Sequence, residues 1–435
     1  MDEATFFALA TAVAAEDPVC EACTGRLLAD RSFGISNRER GRAMRLAAAL
    51  REDEAYEPPA VADCWVCEGH TGAIDTWANR VADALTDIEF ATYQIGTRVP
   101  PLLAENEKLL REIVGLEEDA GEPINRELNR EVGKRVGEIT DKRVNFDRPD
   151  VVVLLHLERD DVEVSINPAF VYGRYQKRDR DIPQTEWPCT DCGSSGKQLG
   201  ANGTEPCDGC DGTGYRYDRS VEGLTVPSVV EAMGGSEGIF HGAGREDVDA
   251  RMIGTGRPFV IEVKDPQVRR PDLETIEEDI SERADGAVVV TDLEFCTYDM
   301  VERVKELPAS KIYRATVRFA EPVTEESLQT ALAALDGATV EQFTPQRVDH
   351  RRANLTRERT VYSIDGELMS PTEGIVELHG EGGLYVKELI SGDDGRTEPS
   401  LAGHLGVDAT VESLDVLAVE GEDEPFVTED FIQTC

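Results

Sequence analysis

An acidic segment between two glycines holds residues whose types could do chemistry. Residues 244–254 read GREDVDARMIG and contain three carboxylates, those of Glu246, Asp247 and Asp249. A carboxylate nucleophile must stay ionised near neutral pH, which a neighbouring cation favours, and must be accessible, which a glycine-flanked turn allows. Composition and periodicity do not tell which of the three carboxylates would react.

Other enzyme classes lack their usual motifs in this sequence. It contains no G-x-x-x-x-G-K-[ST] loop, no G-x-S-x-G elbow and no H-E-x-x-H pair. Only six histidines are present, without a spaced cluster, so histidine acid–base chemistry has little support. A carboxylate therefore remains the best candidate for the reacting group.

Eight of the ten cysteines form four CxxC pairs, and the other two are single. The first two pairs are Cys20 with Cys23 and Cys64 with Cys67; the second two are Cys189 with Cys192 and Cys207 with Cys210. Two CxxC turns can complete a tetrahedral zinc site. Four thiolates leave no open position, so we expect two structural zinc ions. Disulfides are the poorer interpretation, and a redox dithiol remains an alternative at either group.

The charge of the chain is far from balanced. Among 435 residues, 87 are Asp or Glu and 45 are Lys or Arg, which gives a formal charge of −42. Apolar residues nevertheless recur in periodic segments along the whole length, which indicates a folded chain. Lysine is scarce relative to arginine and acidic residues occur on nearly every turn, a pattern that resembles proteins of halophilic archaea. Arginines cluster at 126–143, 173–180 and 347–359, which favours an anionic partner. We find no membrane span and no secretion signal, and expect a cytoplasmic protein.

Hydrophobic periodicity predicts an α+β protein of more than one domain. It indicates a helix at 125–140, strands at 150–157 and 162–166, and further strands at 257–263, 287–290 and 313–319. A helix with Leu328, Leu332 and Leu335 on one face follows the last strand. The segment GRYQKRDRDIPQTEW is interpreted as a linker, with a domain boundary at 174–183.

Three motifs resemble those of pseudouridine synthases. GREDVDARMIG contains an Arg-x-Asp core at residues 245–247, KIYRA at 311–315 resembles the strand that carries the family's active-site tyrosine, and GLYVKEL at 383–389 resembles its basic element. GRYQKRDRDIPQTEW, FTPQRVDHRRA, YVKELISGDDGRTEPSL and the opening CEACTGRLLADRSFGISNRERG resemble one branch in detail, pseudouridine synthase ten of archaea and eukaryotes. The resemblance extends over nearly the whole chain.

The resemblance implies a zinc-containing N-terminal domain with a THUMP-type α/β part at 1–175. A pseudouridine-synthase-type catalytic domain with a mixed or antiparallel sheet would follow at 176–435, with a zinc-knuckle insertion at about 187–215. Asp247 would be the nucleophile, Tyr313 would stack on the flipped uracil and help remove its C5 proton, and Lys387 would keep Asp247 ionised. Arg245 would contact RNA, and Glu246 and Asp249 would be turn or surface acids.

The implied substrate is tRNA, at uridine 54, uridine 55 or both in the T arm. The reaction would need no catalytic cofactor, and no obligatory protein partner is expected. A rival hypothesis is a noncatalytic zinc-dependent RNA-binding or chaperone protein. Its support is local, since the second cysteine group also resembles the CxxCxGxG repeat of the Hsp40 zinc domain.

Overall fold

The computed structural model describes residues 3–200, 203–345 and 355–433. The chain divides into two compact units, Met1–Asn167 and Pro168–Cys435. Within the described ranges, no helix is long and apolar enough to cross a membrane. Each unit has its own hydrophobic core.

The described part of the N-terminal unit contains six α-helices. They are α1 (Glu3–Ala15), α2 (Glu21–Arg26), α3 (Asn37–Glu52), α4 (Ile74–Ala84), α5 (Pro101–Ile113) and α6 (Ile124–Thr140). Helix α3 begins at a capping box, in which the Ser36 hydroxyl accepts from the Glu39 N–H and the Glu39 carboxylate accepts from the Ser36 N–H. The helix predicted at 125–140 is confirmed as α6, whose buried residues include Leu128 and Val132.

A four-stranded sheet completes this unit. Its strands are β1 (Thr92–Arg98), β2 (Arg143–Val144), β3 (Val151–His156) and β4 (Asp161–Ile166), in the order β2-β1-β3-β4. Strand β1 runs parallel to both β2 and β3, and β4 is antiparallel to β3. The two predicted strands are confirmed as β3 and β4. Val151, Val153 and Leu155 of β3 are fully buried, which the apolar run of this segment explains.

The C-terminal unit is built on a mixed sheet of ten strands. They are β5 (Ala169–Lys177), β8 (Glu237–Gly242), β9 (Arg251–Lys264), β10 (Val288–Cys296), β11 (Ala309–Phe319), β12 (Thr339–Phe343), β13 (Thr356–Ser370), β14 (Glu373–Gly380), β15 (Thr397–Glu398) and β16 (Ala409–Gly421). The order is β10-β5-β9-β16-β11-β14-β13-β12-β15, and β8 also pairs with β9. All of these pairs are antiparallel except β9 with β16. The predicted strands at 257–263, 287–290 and 313–319 lie within or overlap β9, β10 and β11.

Among the described residues, six α-helices accompany this sheet: α7 (Val221–Met233), α8 (Leu273–Arg283), α9 (Asp299–Glu306), α10 (Glu325–Leu335), α11 (Val386–Ser391) and α12 (Leu401–Leu405). The predicted leucine face is confirmed in α10, where Leu328, Leu332 and Leu335 are buried. The alternation predicted for 313–319 is confirmed in β11, in which Tyr313 and Val317 are buried and Arg314 is exposed.

The segment interpreted as a linker contains part of a strand. Its first residues, 173–177, belong to β5, which pairs with β9 and β10 in the C-terminal sheet. The division between compact units accordingly lies at Asn167 and Pro168, ahead of the boundary expected at 174–183. Tyr175 and Lys177 point into the core, so a charged strand end looked like a linker in the sequence.

The second cysteine group lies in a small excursion from the C-terminal unit, here called the knuckle insertion (residues 187–215). Strands β6 (Lys197–Gly200) and β7 (Gly203–Pro206) form a hairpin between its two CxxC turns. Its ends meet at an antiparallel bridge between Pro188 and Tyr215.

Candidate active site

The acidic segment forms the loop that connects β8 to β9. Gly244 begins it at φ +71°, a left-handed conformation that favours glycine. Gly254, within β9, has φ +63°, and a Cβ there would lie 2.1 Å from the carbonyl oxygen of Leu417 in β16. The two glycines therefore allow the loop to turn and β9 to approach β16 closely.

Asp247 pairs with a cation that is 140 residues away in the sequence. The Lys387 Nζ lies 3.3 Å from the Asp247 Oδ2 and 3.0 Å from the Asp249 Oδ2. The side chain of Asp247 is 41% exposed and that of Lys387 is 25% exposed. This arrangement keeps a carboxylate accessible beside a positive charge, as a nucleophile requires.

Lys387 is held in place through the backbone of the residue that precedes α11. The Tyr385 N–H donates to the Gln342 Oε1 at 2.8 Å, and the Gln342 Nε2 donates to the Tyr385 carbonyl oxygen at 3.0 Å. Gln342 lies in β12 and is fully buried. The sequence analysis missed Gln342, because nothing in a single glutamine of a short strand indicates its distant partner.

Tyr313 lies in β11 and reaches the same site from the sheet. It is buried, which raises the pKa of its hydroxyl to about 12; the charge of Arg257 opposes this rise and that of Asp247 adds to it. The hydroxyl therefore stays protonated near neutral pH.

A cavity of about 260 Å³ brings the sequence-predicted residues together. Asp247, Tyr313, Lys387 and Arg245 all line it, together with Arg257 and Lys311. The lining also includes four apolar residues, Leu384, Val386, Leu414 and Val416. Space of this kind beside a carboxylate, a tyrosine and several cations suits a planar polar ring carried on an anionic backbone.

Glu246 is not a turn or surface acid, and that expectation was wrong. Its side chain is 1% exposed, and its Oε2 forms an ion pair of 2.8 Å with the Nε of Arg257, which is equally buried. The Tyr175 hydroxyl donates to both carboxylate oxygens, at 3.0 and 2.9 Å. The loop directs Glu246 inward, against Tyr175 of β5 and Arg257 of β9. Asp249 is 63% exposed, as expected of a surface acid.

Buried donors also hold the backbone on both sides of Asp247. The Lys177 Nζ donates to the carbonyl oxygens of Asp247 at 3.3 Å and Val248 at 3.1 Å, and to that of Ile182 at 2.8 Å. Arg257 donates to the Ala243 carbonyl at 2.7 Å, and the Gln184 Nε2 donates to that of Gly244 at 2.9 Å.

These groups form a buried support for the loop that carries Asp247. Burial lowers the pKa of Lys177, while the Glu246 charge, 3.8 Å away, opposes that change. We call the set the loop clamp and define it as Tyr175, Lys177, Gln184, Glu246 and Arg257. Strand alternation places Tyr175 and Lys177 on one face, but it does not reveal the carbonyls that Lys177 binds.

Arg245 packs against an aromatic ring of the knuckle insertion. Its guanidinium carbon lies 4.9 Å from the centroid of Trp187, and its side chain is exposed. Because Arg245 also lines the cavity, it lies between that cavity and the insertion. Trp187 was not singled out by the sequence analysis.

The first four-cysteine group could hold a metal ion. The sulfur atoms of Cys20, Cys23, Cys64 and Cys67 all lie within 4.8 Å of one another, with 3.8 Å between Cys20 and Cys67 and 3.7 Å between Cys23 and Cys64. A tetrahedral ion with bonds of about 2.3 Å requires sulfur separations of about 3.8 Å. The Arg26 Nη2 donates to the Cys23 sulfur at 3.0 Å, which compensates part of the thiolate charge.

The second group, formed by Cys189, Cys192, Cys207 and Cys210, meets the same spacing. Its sulfur pairs lie 4.0 Å apart (Cys189 and Cys207) and 3.7 Å apart (Cys192 and Cys210). The Gly214 N–H donates to the Cys210 sulfur at 3.2 Å. Cys296 is buried in the C-terminal core, and Cys435 lies outside the described residues.

The arginine clusters have different surroundings. In 173–180, Arg174 binds carbonyls of Thr255 and Val419, and Arg180 forms an ion pair of 2.7 Å with Asp415, so these cations hold β9 and β16. Most of the cluster at 347–359, with FTPQRVDHRRA, lies outside the described residues. In the first cluster, Arg126 is exposed on α6.

Known proteins resemble both halves of the chain. The family model "Pus10, C-terminal" matches residues 170–420, and "Pus10 THUMP domain, archaeal" matches residues 77–156. A protein of Halorubrum lacusprofundi named tRNA pseudouridine synthase Pus10 is 60% identical over 416 residues, which cover 96% of each chain. Proteins with the same name from Methanothrix thermoacetophila and Methanopyrus kandleri are 42% and 40% identical, over 93% and 92% of this chain and 92% and 94% of theirs.

Proposed function

The chain belongs to the Pus10 family of tRNA pseudouridine synthases, and on this premise we propose that Asp247 isomerises uridine in the T arm of tRNA. The observation that carries the proposal is the convergence of Asp247, Lys387 and Tyr313 on one cavity. These three residues come from a loop, a helix and a strand that are separated by 66 and 140 positions in the sequence. Family membership makes the enzyme an isomerase of tRNA uridine; the residue roles and target positions are our proposal.

Asp247 acts on the ribose of a uridine that has left the helical stack. Extruding the base costs a few kcal/mol of unstacking. The ionised carboxylate then promotes cleavage of the bond between C1′ and N1, either by covalent attack on C1′ or through a glycal. The released uracil turns, C5 bonds to C1′, and the proton lost from C5 is balanced by one gained at N1. Lys387 pairs with Asp247 and orients it, which their distance of 3.3 Å supports.

Tyr313 stacks on the uracil. Its hydroxyl is neutral near pH 7, as is that of an ordinary tyrosine with a pKa of about 10, and burial raises its pKa further, to about 12. A neutral phenol is a poor base, so stacking is its main role and help in removing the C5 proton is secondary. Arg245, exposed at the rim of the cavity, is placed to contact RNA beside the extruded nucleotide.

The two units have different roles in the proposed function. The N-terminal unit, with its THUMP match, serves as an RNA-binding accessory unit, and the C-terminal unit carries the reaction. Each four-cysteine group holds one structural zinc ion, which the sulfur spacing supports, and the reaction uses no organic cofactor or catalytic metal. The cytoplasm remains the predicted location.

The test uses unmodified tRNA transcript and the full chain in multimolar KCl, with pseudouridine mapped chemically at each uridine. We expect pseudouridine at position 54, position 55 or both, and none elsewhere. Transcripts with cytidine at 54 or at 55 separate the two positions. Absence of pseudouridine from both positions, with the protein folded, would overturn the T-arm proposal.

A further inference from the structure

A band of cationic and aromatic side chains extends from the loop of Asp247 to the first residue of the knuckle insertion and the two residues that follow its end. Arg245 lies 4.9 Å from the Trp187 ring centroid, and the Arg216 guanidinium lies 5.7 Å from the same centroid. Arg216 also lies 5.9 Å from the Tyr217 ring, whose centroid is 5.5 Å from that of Trp187 in an edge-to-face arrangement. We call these four residues the Trp187 strip.

The strip adjoins a second, larger cavity. This cavity has a volume of about 660 Å³, and its lining includes Trp187, Cys189, Arg216 and Arg245. Arg245 lines both this cavity and the one that contains Asp247. A strand of RNA that places one nucleotide beside Asp247 can therefore place a neighbouring nucleotide against the strip.

The backbone beneath the strip is fixed by short-range pairing. The Arg216 N–H donates to the Trp187 carbonyl oxygen at 2.8 Å, and the Cys189 N–H donates to that of Gly214, also at 2.8 Å. Trp187 is thus two residues from a cysteine of the second group and is tied to the closing end of the insertion. Trp187 and Tyr217 remain partly exposed, and both arginines are exposed.

These residue types match the two chemical features of a nucleotide. Indole and phenol rings stack on bases without regard to their identity, and arginine binds phosphate and also stacks on rings. Glu186 and Asp191 line the same cavity and repel phosphate. In molar salt, however, the Debye length falls to about 3 Å, which screens repulsion between charges that are not in contact, while direct contact between arginine and phosphate persists.

We propose that the Trp187 strip binds a nucleotide of the tRNA that flanks the isomerised uridine, with its base on the indole and its phosphate at Arg216 and Arg245. The entering base replaces one guanidinium on the ring, and that guanidinium, on a long flexible side chain, turns to the phosphate. The proposal rests on the proposed function and adds a subsite to it. The knuckle insertion thereby gains a role in RNA binding.

Intrinsic fluorescence tests the contact directly. The chain has three tryptophans, and Trp187 is the single one beyond position 77. We expect tRNA to quench the emission of Asp247→Asn protein, which binds without turnover, and expect Asp247→Asn/Trp187→Phe to lose the part of the quench due to Trp187. An unchanged quench in the double variant would overturn the proposal.

Kinetic measurements distinguish stacking of an RNA base on Trp187 from a role in which Trp187 only supports Arg245. We expect Trp187→Ala to raise KM for tRNA about tenfold, while Trp187→Phe keeps KM within about threefold because a ring remains. Arg216→Gln, which changes a residue outside the catalytic cavity, should also raise KM with little change in kcat. If Arg216→Gln leaves KM unchanged, or if kcat alone falls in Trp187→Ala, the strip does not bind RNA.

The two proposals fail separately. A tRNA-dependent quench at Trp187 together with an absence of pseudouridine would leave the strip as an RNA site and remove the T-arm reaction. If pseudouridine forms but tRNA quenches the fluorescence equally with and without Trp187, the proposed reaction stands and the proposed subsite at the Trp187 strip does not.

Discussion

The Arg257 guanidinium and the Glu246 carboxylate form an ion pair of 2.8 Å in which each side chain is 1% exposed. Glu246 directly precedes Asp247 in the loop between β8 and β9. Arg257 also donates to the carbonyl oxygen of Ala243, at the start of that loop. A buried charge whose partner is removed costs several kcal/mol. Because each buried charge of the pair requires the other, Glu246 is held in place. The position of the adjacent Asp247 is thereby fixed as well.

Loss of the Glu246 charge should destabilise the C-terminal unit. In Glu246→Gln, Arg257 and Lys177 keep their buried charges without the compensating carboxylate, so we expect the free energy of unfolding to fall by about 3 kcal/mol. The matched control is Glu377→Gln, which removes the partner of Arg314 in a pair at 2.6 Å with both side chains about half exposed; the expected change there is below about 1 kcal/mol. Denaturant titration at constant KCl measures both, and equal losses would contradict the account.

Lys177 should control turnover more than binding. Lys177→Met removes the donor to the carbonyls of Asp247 and Val248, and displacement of a reacting group by about 1 Å can cost about 100-fold in rate. We expect kcat to fall by that order with KM for tRNA nearly unchanged. Lys264→Met, which removes a cation paired with Glu237 at the other end of β9, serves as the control and should leave both constants unchanged. A rise in KM at constant kcat would show that Lys177 acts on RNA binding instead.

Tyr313 should make stability fall at high pH. Its folded pKa is about 12, above the value of about 10 expected in the unfolded chain, so the unfolded state releases the proton first. The contribution of Tyr313 to the free energy of unfolding is constant below pH 10 and is lost as pH rises toward 12. Tyr313→Phe should therefore show a shallower fall in the free energy of unfolding between pH 10 and 12. Identical slopes for the two proteins would show that burial does not raise this pKa.

Metal content should follow the two cysteine groups independently. We expect two zinc ions per chain in the wild-type protein, measured by elemental mass spectrometry after dialysis. The variants Cys64→Ser and Cys189→Ser should each retain one. Cys296→Ala, which changes a buried cysteine outside both groups, should retain two. Retention of two ions in either serine variant would remove that group as a zinc site.

The sequence predicted the elements with strong periodicity and the residues within contiguous motifs. Helix α6, strands β3 and β11, and the leucine face of α10 follow from local patterns, and the resemblance selected Asp247, Tyr313 and Lys387. The loop clamp could not be predicted in this way, since Glu246, Arg257 and Lys177 are charged residues whose burial depends on one another. The strand at 173–177 was mistaken for a linker for the same reason, because two of the three carbonyls that accept from Lys177, those of Asp247 and Val248, lie 70 and 71 residues away.

The chemistry of Asp247 is tested most directly by single-turnover mapping of pseudouridine with two matched variants in multimolar KCl. Asp247→Asn and Asp249→Asn each remove one of the carboxylates that pair with Lys387, at 3.3 and 3.0 Å. We predict no pseudouridine in the T arm with Asp247→Asn, although tRNA still binds, and formation within about tenfold of the wild-type rate with Asp249→Asn. Pseudouridine formed by Asp247→Asn at the wild-type rate would contradict the assignment of Asp247 as nucleophile.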